Sequence, residues 1–264
     1  MAGSLIGVDV EDFRLPVKEA IRRAAELAFA AIEVPTAEGD TAPRCLSSSG
    51  RRHLARYVAD HGLKLASLTA DVPGLRLTDP RTVSERIERT CEVIDLAREL
   101  GVPIVTAAVG ALTHPESGEP SPLSTAALQR IGEHADSRGV VYAIRPSYDD
   151  RERLRRVLDA LRCPSIRIGL DPAAMIMSGV SPSHCLELLA DRVAIVHARD
   201  ATAGLSDRPG HETRFGDGEV DHAGVIELLT AAEFVGPFIA RRLESATPGS
   251  DLQFAHDRLH KLIR

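Results

Sequence analysis

Short apolar runs alternate along the whole chain with longer stretches in which apolar positions recur every three to four residues. The short runs are Leu5–Val10, Ala31–Val34, Lys64–Thr69, Pro103–Ala108, Val140–Arg145, Ile166–Leu170, Val193–His197 and Pro237–Arg241. Near-continuous apolar runs of this length predict strands buried on both faces, as in a parallel sheet. The longer stretches predict helices at Pro16–Phe29, Arg51–His61, Val83–Leu100, Ser124–Arg138, Arg151–Leu161, Pro182–Ala190, Ala223–Glu233 and Asp251–Ile263. The third of these has the clearest limits: Thr82 and Glu85 read as a capping box, and Gly101 as the left-handed residue that stops the helix.

A strand followed by a helix, repeated eight times in 264 residues, predicts a single (β/α)8 barrel spanning residues 1–264. A doubly wound open sheet also alternates, but it usually opens on a glycine-rich turn, and the first turn here reads DVEDFRLP. The longest irregular stretches, Val109–Pro122 and Asp200–Val220, both follow predicted strands. In a parallel barrel such loops lie on the C-terminal face, where binding and chemistry are built.

The charge balance excludes some partners. Lys and Arg total 32 against 38 Asp and Glu, a formal charge of −6, with no basic run to track a phosphate backbone, so no nucleic acid is expected. No window reaches the 18 apolar residues of a membrane span, and Asp9, Glu11 and Asp12 stand where a signal peptide needs its apolar stretch. Cys45, Cys91, Cys163 and Cys185 form no CxxC pair and read as packing or surface residues. Together these predict a cytoplasmic, reduced protein without a membrane partner.

Candidate chemistry sits at the predicted strand ends. The fifth strand ends in Arg145, the sixth runs into Asp171, the seventh carries His197 and leads to Asp200, and the eighth ends in Arg241 and Arg242. With AAELAFAAIEVP (including Glu33), LARELGVPIVT, GLDPAAMIMSG, VHARD and FGDGEVDHAGVIELL, the chain resembles the xylose isomerase-like barrels, in particular the sugar phosphate isomerase/epimerase group. That resemblance implies a divalent metal held by Glu at strand 5, Asp after strand 6, His at strand 7 and Glu at strand 8. Carried over by position, Asp171 and His197 remain, but Arg145 and Arg241 stand at the two Glu positions, and Ala174 where a further His is common.

At about 5 Å and an effective dielectric near 20, each unit of charge against a dication is worth roughly 6–7 kcal/mol. Two guanidiniums in place of two carboxylates therefore predict no metal cofactor, and Arg does not act as a general base at neutral pH. The expectation is a degenerate metal site in which Arg145 and Arg241 clamp a sugar, sugar acid or sugar phosphate anion. Asp171 assists, Arg214 adds a cation from the HETRFGDG loop, and His197 or Glu33 serve as acid–base candidates, with Asp200 and Glu212 behind them. The alternative is a non-catalytic ligand- or partner-binding barrel. Bland roles compete: Asp171 in an ion pair with Arg145 or Arg241, His197 as a hydrogen-bonded barrel histidine, Asp200 ordering its loop. His114, His134 and His222 have no ligand spacing. A metal returns only if the eighth strand runs further and Glu244 reaches the rim. The resemblance also implies a homo-oligomer, whose form the residues do not select.

Overall fold

The computed structural model describes residues 4–113, 119–147, 150–204 and 208–263; His114 and Asp149 fall outside them. Its strands are β1 (Ile6–Asp9), β2 (Ala31–Pro35), β3 (Lys64–Thr69), β4 (Ile104–Gly110), β5 (Val141–Pro146), β6 (Ile166–Leu170), β7 (Val193–Ala198), β8 (Asp200–Thr202), β9 (His211–Thr213) and β10 (Phe238–Ala240). The helices are α1 (Val17–Glu26), α2 (Ser48–Asp60), α3 (Val83–Leu100), α4 (Pro122–Arg138), α5 (Arg151–Ala160), α6 (Pro172–Met177), α7 (Pro182–Leu189), α8 (His222–Ala231) and α9 (Pro248–Leu262). Eight strands close a barrel in the order β1-β10-β7-β6-β5-β4-β3-β2, surrounded by helices, and β8 and β9 form a separate antiparallel hairpin. No helix among the described residues is long and apolar enough to cross a membrane.

Two compact units make up the chain: Met1–Ile32 with His61–Lys64 and Leu170–Arg264, and Glu33–Asp60 with Leu65–Gly169. In the first, β10 lies between β1 and β7, with Ile239 in register with both Gly7 and His197. Its core includes Val8, Ile21, Ile195, Phe238 and Leu252, all buried. In the second, β4 pairs with β3 and β5, and the pairing slips between Ala108 and Gly110 at the strand's C-terminal end. Ile94, Leu128, Ile131, Tyr142 and Ile144 fill that core.

Helix boundaries follow local chemistry. Pro occupies the first turn of α4, α6 and α7, where its missing N–H costs nothing. Ser121, Asp150, Asp171, Ser181 and Asp221 each cap a helix by accepting a backbone N–H three residues on. Gly101 ends α3 at φ 70° as expected, but the predicted capping box does not form. Thr82 has near-helical dihedrals, φ −119° and ψ −13°, and its hydroxyl turns away to the backbone N–H and carbonyl of Arg76. The helix α6 and the β8–β9 hairpin escape the sequence pattern because six residues, and three in each strand, are too short to show a period.

Gly236 marks the tightest approach beside β10. A Cβ built there would lie 2.0 Å from the Ala194 carbonyl oxygen, backbone that cannot rotate aside. Gly236→Ala is therefore expected to destabilise the fold by roughly 1–3 kcal/mol or more, read as a lower midpoint in urea unfolding.

Candidate functional site

Acidic and basic side chains from the strand ends of the first unit pair in a chain. Asp171, directly after β6, is 8% exposed. Its carboxylate accepts Arg199 Nε at 3.0 and 3.1 Å and Arg199 Nη2 at 2.9 Å, and it caps α6 through Ala174 N–H. Burial works against its charge. The Arg199 guanidinium, the Ala174 amide and the nearby His197 outweigh that and hold the carboxyl below the usual range. Arg199 also lies 3.6 Å from Glu212 Oε1 on β9. Glu212 in turn receives Arg242 Nη1 at 2.9 Å and the backbone amides of Leu243 and Glu244. Arg242 reaches Asp251 at the start of α9. Arg241, the residue after β10, binds the fully buried Asp9 at 2.9 Å and Asp12 through Nε and Nη2.

In the second unit, Glu33 on β2 is fully buried, and its Oε1 accepts hydrogen bonds from the hydroxyls of Thr69, at 2.8 Å, and Thr106. Arg145, near the end of β5, donates to Thr106 Oγ1 at 3.2 Å and closely pairs with Asp71, whose other oxygen takes the Ala108 amide.

These contacts correct the sequence reading in several places. Asp171 pairs with Arg199, the residue directly after β7, rather than with Arg145 or Arg241. Neither Arg145 nor Arg241 is the unengaged cation that an anion clamp requires, since each faces carboxylates of its own. Arg214 pairs with Asp217 and lies over the Phe254 ring on α9, 4.2 Å from its centroid. Glu244 is exposed, as β10 ends at Ala240 rather than running on. His197 is buried on β7, 1% exposed. Arg199 and Asp71 are not among the candidate site residues of the sequence, and Asp9 and Asp12 figure there only as charges near the start of the chain.

Asp200 organises a loop. It is 1% exposed, and it accepts the backbone N–H groups of Ala201, Gly216, Gly218 and Val220. His222 stands 3.4 Å away and stacks on Phe215 at 3.9 Å between ring centroids. A Cβ at Gly218 would fall 2.2 Å from Asp200 Oδ1, which accounts for the second glycine of the GDG sequence. Among the cysteines, burial and Asp95 push the Cys91 thiol up to about 11, unsuited to nucleophilic chemistry.

Both oxygens of Asp171 face the Arg199 guanidinium, and Arg145 and Arg241, at the positions where the resemblance puts two glutamates, carry no lone pair to offer an ion.

A closed eight-stranded parallel barrel surrounded by helices defines a (β/α)8 fold. The family described as xylose isomerase-like TIM barrel matches residues 21–258, and the chain belongs to it. Solved structures share the fold at low identity. A xylose isomerase domain protein from Planctomyces limnophilus is 19% identical at TM-score 0.84, covering 98% of this chain and 97% of that one. A xylose isomerase-like TIM barrel protein from Mycobacterium smegmatis, in complex with magnesium, is 17% identical at TM-score 0.77, with 98% and 97% covered. A D-allulose 3-epimerase from Methylomonas sp. is 19% identical at TM-score 0.74, with 98% of each chain covered. No curated protein matches the chain in sequence.

Asp200 is held below the usual carboxylate range: burial opposes its charge, but His222 and the loop amides outweigh it. A depressed folded pKa adds stability that is full well above the unfolded value near 3.9 and is lost as pH falls through the folded one. Asp200→Asn, which leaves a misplaced amide donor against the loop N–H groups, is expected to cost roughly 3 kcal/mol at pH 7. The penalty should shrink on acidification below about pH 4; thermal midpoints of both proteins between pH 7 and pH 3 provide the check.

Proposed function

We propose that this barrel binds a small sugar at its strand ends without a divalent metal, and that it does not run the two-glutamate isomerase chemistry of its family. One observation carries the reading: the Asp171 carboxylate, at a position where the family resemblance puts a metal ligand, is bound on both oxygens by the Arg199 guanidinium. The neutral polyhydroxylated sugar is favoured over its acid or phosphate. Arg199 and Arg241 are each matched by carboxylates, so the strand ends of the first unit present alternating donors and acceptors rather than a bare cation. Such alternation suits hydroxyl groups, which donate and accept together. Within the first unit, Arg241 and Asp171 are the sugar-contacting residues of this reading, in line with what the D-allulose 3-epimerase relative is named for.

A second reading keeps catalysis. Glu33 is a fully buried carboxylate steadied by two hydroxyls, and His197 is a buried imidazole beside Asp171, so each is equipped to hold a proton against a bound sugar.

Elemental analysis of protein purified without chelator, with calorimetric titrations of ketohexoses, the matching sugar acids and sugar phosphates in EDTA and in Mn²⁺, tests both. Sub-stoichiometric metal and sugar binding indifferent to EDTA are expected, with phosphates no tighter than neutral sugars. Stoichiometric metal, or binding that disappears in EDTA, would overturn the metal-independent reading. Deuterium uptake from D2O into a bound ketose, followed by NMR and lost in Glu33→Gln or His197→Asn, would establish the catalytic one.

A further inference from the structure

The segment after β10, residues 241–245, has no regular secondary structure, so its backbone polar groups need partners from elsewhere. Carboxylates serve its N–H groups: Arg242 N–H goes to Asp12 at 2.7 Å, and those of Leu243 and Glu244 go to Glu212 at 3.2 and 2.7 Å. Two of its carbonyls are served by a guanidinium. Arg14, just after the 3-10 turn Val10–Phe13 that follows β1, donates from Nη1 to the Ser245 carbonyl at 2.9 Å and from Nη2 to the Leu243 carbonyl. All of these residues belong to the first unit.

Arg14 holds its place at a cost in backbone. Its φ is 55° and its ψ 36°, the left-handed region that a Cβ disfavours and glycine enters freely. Its own N–H closes the turn on the Glu11 carbonyl at 2.9 Å, a bond that any residue but proline supplies. What arginine adds is the forked side chain, whose two ends span carbonyls two residues apart. Strain of this kind persists where surrounding contacts over-determine it, and it gathers at clamps and switches. We propose that Arg14 is a latch: it holds segment 241–245 where Arg241 meets Asp9 and Asp12 and Arg242 meets Glu212, and it thereby positions Arg241 for a bound sugar. The second half rests on the sugar-binding reading above and deepens it, because it assigns that site a positioning residue. Without the latch the segment keeps its N–H partners but loses its anchor to the β1 end, and so opens more often.

Arg14→Gly keeps the backbone path and removes the fork, and Arg14→Asn does the same with a residue that tolerates the left-handed region. In both variants, hydrogen exchange followed by NMR should quicken at least about tenfold at the Arg242, Leu243 and Glu244 amides, while the urea midpoint stays at or above that of the wild type. Metal-free calorimetry with D-allulose should show binding at least about fivefold weaker in both, since less of the protein is in the competent form. Unchanged exchange overturns the latch, as does an effect confined to R14G, which would trace to the flexibility of glycine. Faster exchange with unaltered sugar affinity overturns the positioning role. So does a fall in the urea midpoint that matches the loss of affinity, because it would assign Arg14 to general stability. A wild type that binds no ketohexose overturns the sugar reading and the positioning role with it, while the exchange rates still decide the latch.

Discussion

A carboxylate buried at the end of a barrel strand needs a compensating cation close by, since an unpaired buried charge costs several kcal/mol. Asp171 is such a group, and the Arg199 guanidinium answers it with three hydrogen bonds. The consequences spread from this pair. Arg199 reaches Glu212, which draws the β8–β9 hairpin toward the β6 end, and Glu212 receives Arg242 and two backbone amides from the segment after β10. Arg242 then ties that segment to α9 through Asp251. A sequence of alternating charges therefore sets where four different segments of one unit stand.

The same rule of satisfying buried charge takes a different form at Asp200. Four backbone N–H groups and His222 surround it. That solution demands backbone within reach of a carboxylate, and so it demands glycine at 218, where any Cβ would collide with the Asp200 oxygen. The glycine-rich motif that resembled a family signature is here the steric condition for burying one aspartate.

Most of the barrel was legible from the pattern of apolar residues. Among the described residues, all eight barrel strands and eight of the nine α-helices fall within a few residues of their expected limits, because each buries enough apolar surface to leave a continuous or periodic trace. The exceptions are instructive. Thr82 has the residue type of a cap, but its dihedrals turn the hydroxyl to Arg76. The hairpin strands at Asp200–Thr202 and His211–Thr213 are held by pairing with each other and by Asp200 and Glu212, not by any apolar alternation.

By itself the sequence determined the barrel, with Asp171 directly after β6, His197 on β7 and Glu33 on β2, since these depend on residue type and on short-range periodicity. Only the tertiary structure decided which charge meets which. Arg145 meets Asp71, 74 residues away in the chain, and Arg241 meets Asp12, 229 residues away. Ion pairing depends on distances of a few ångströms between side chains brought together by closure of the fold, and no local pattern encodes them.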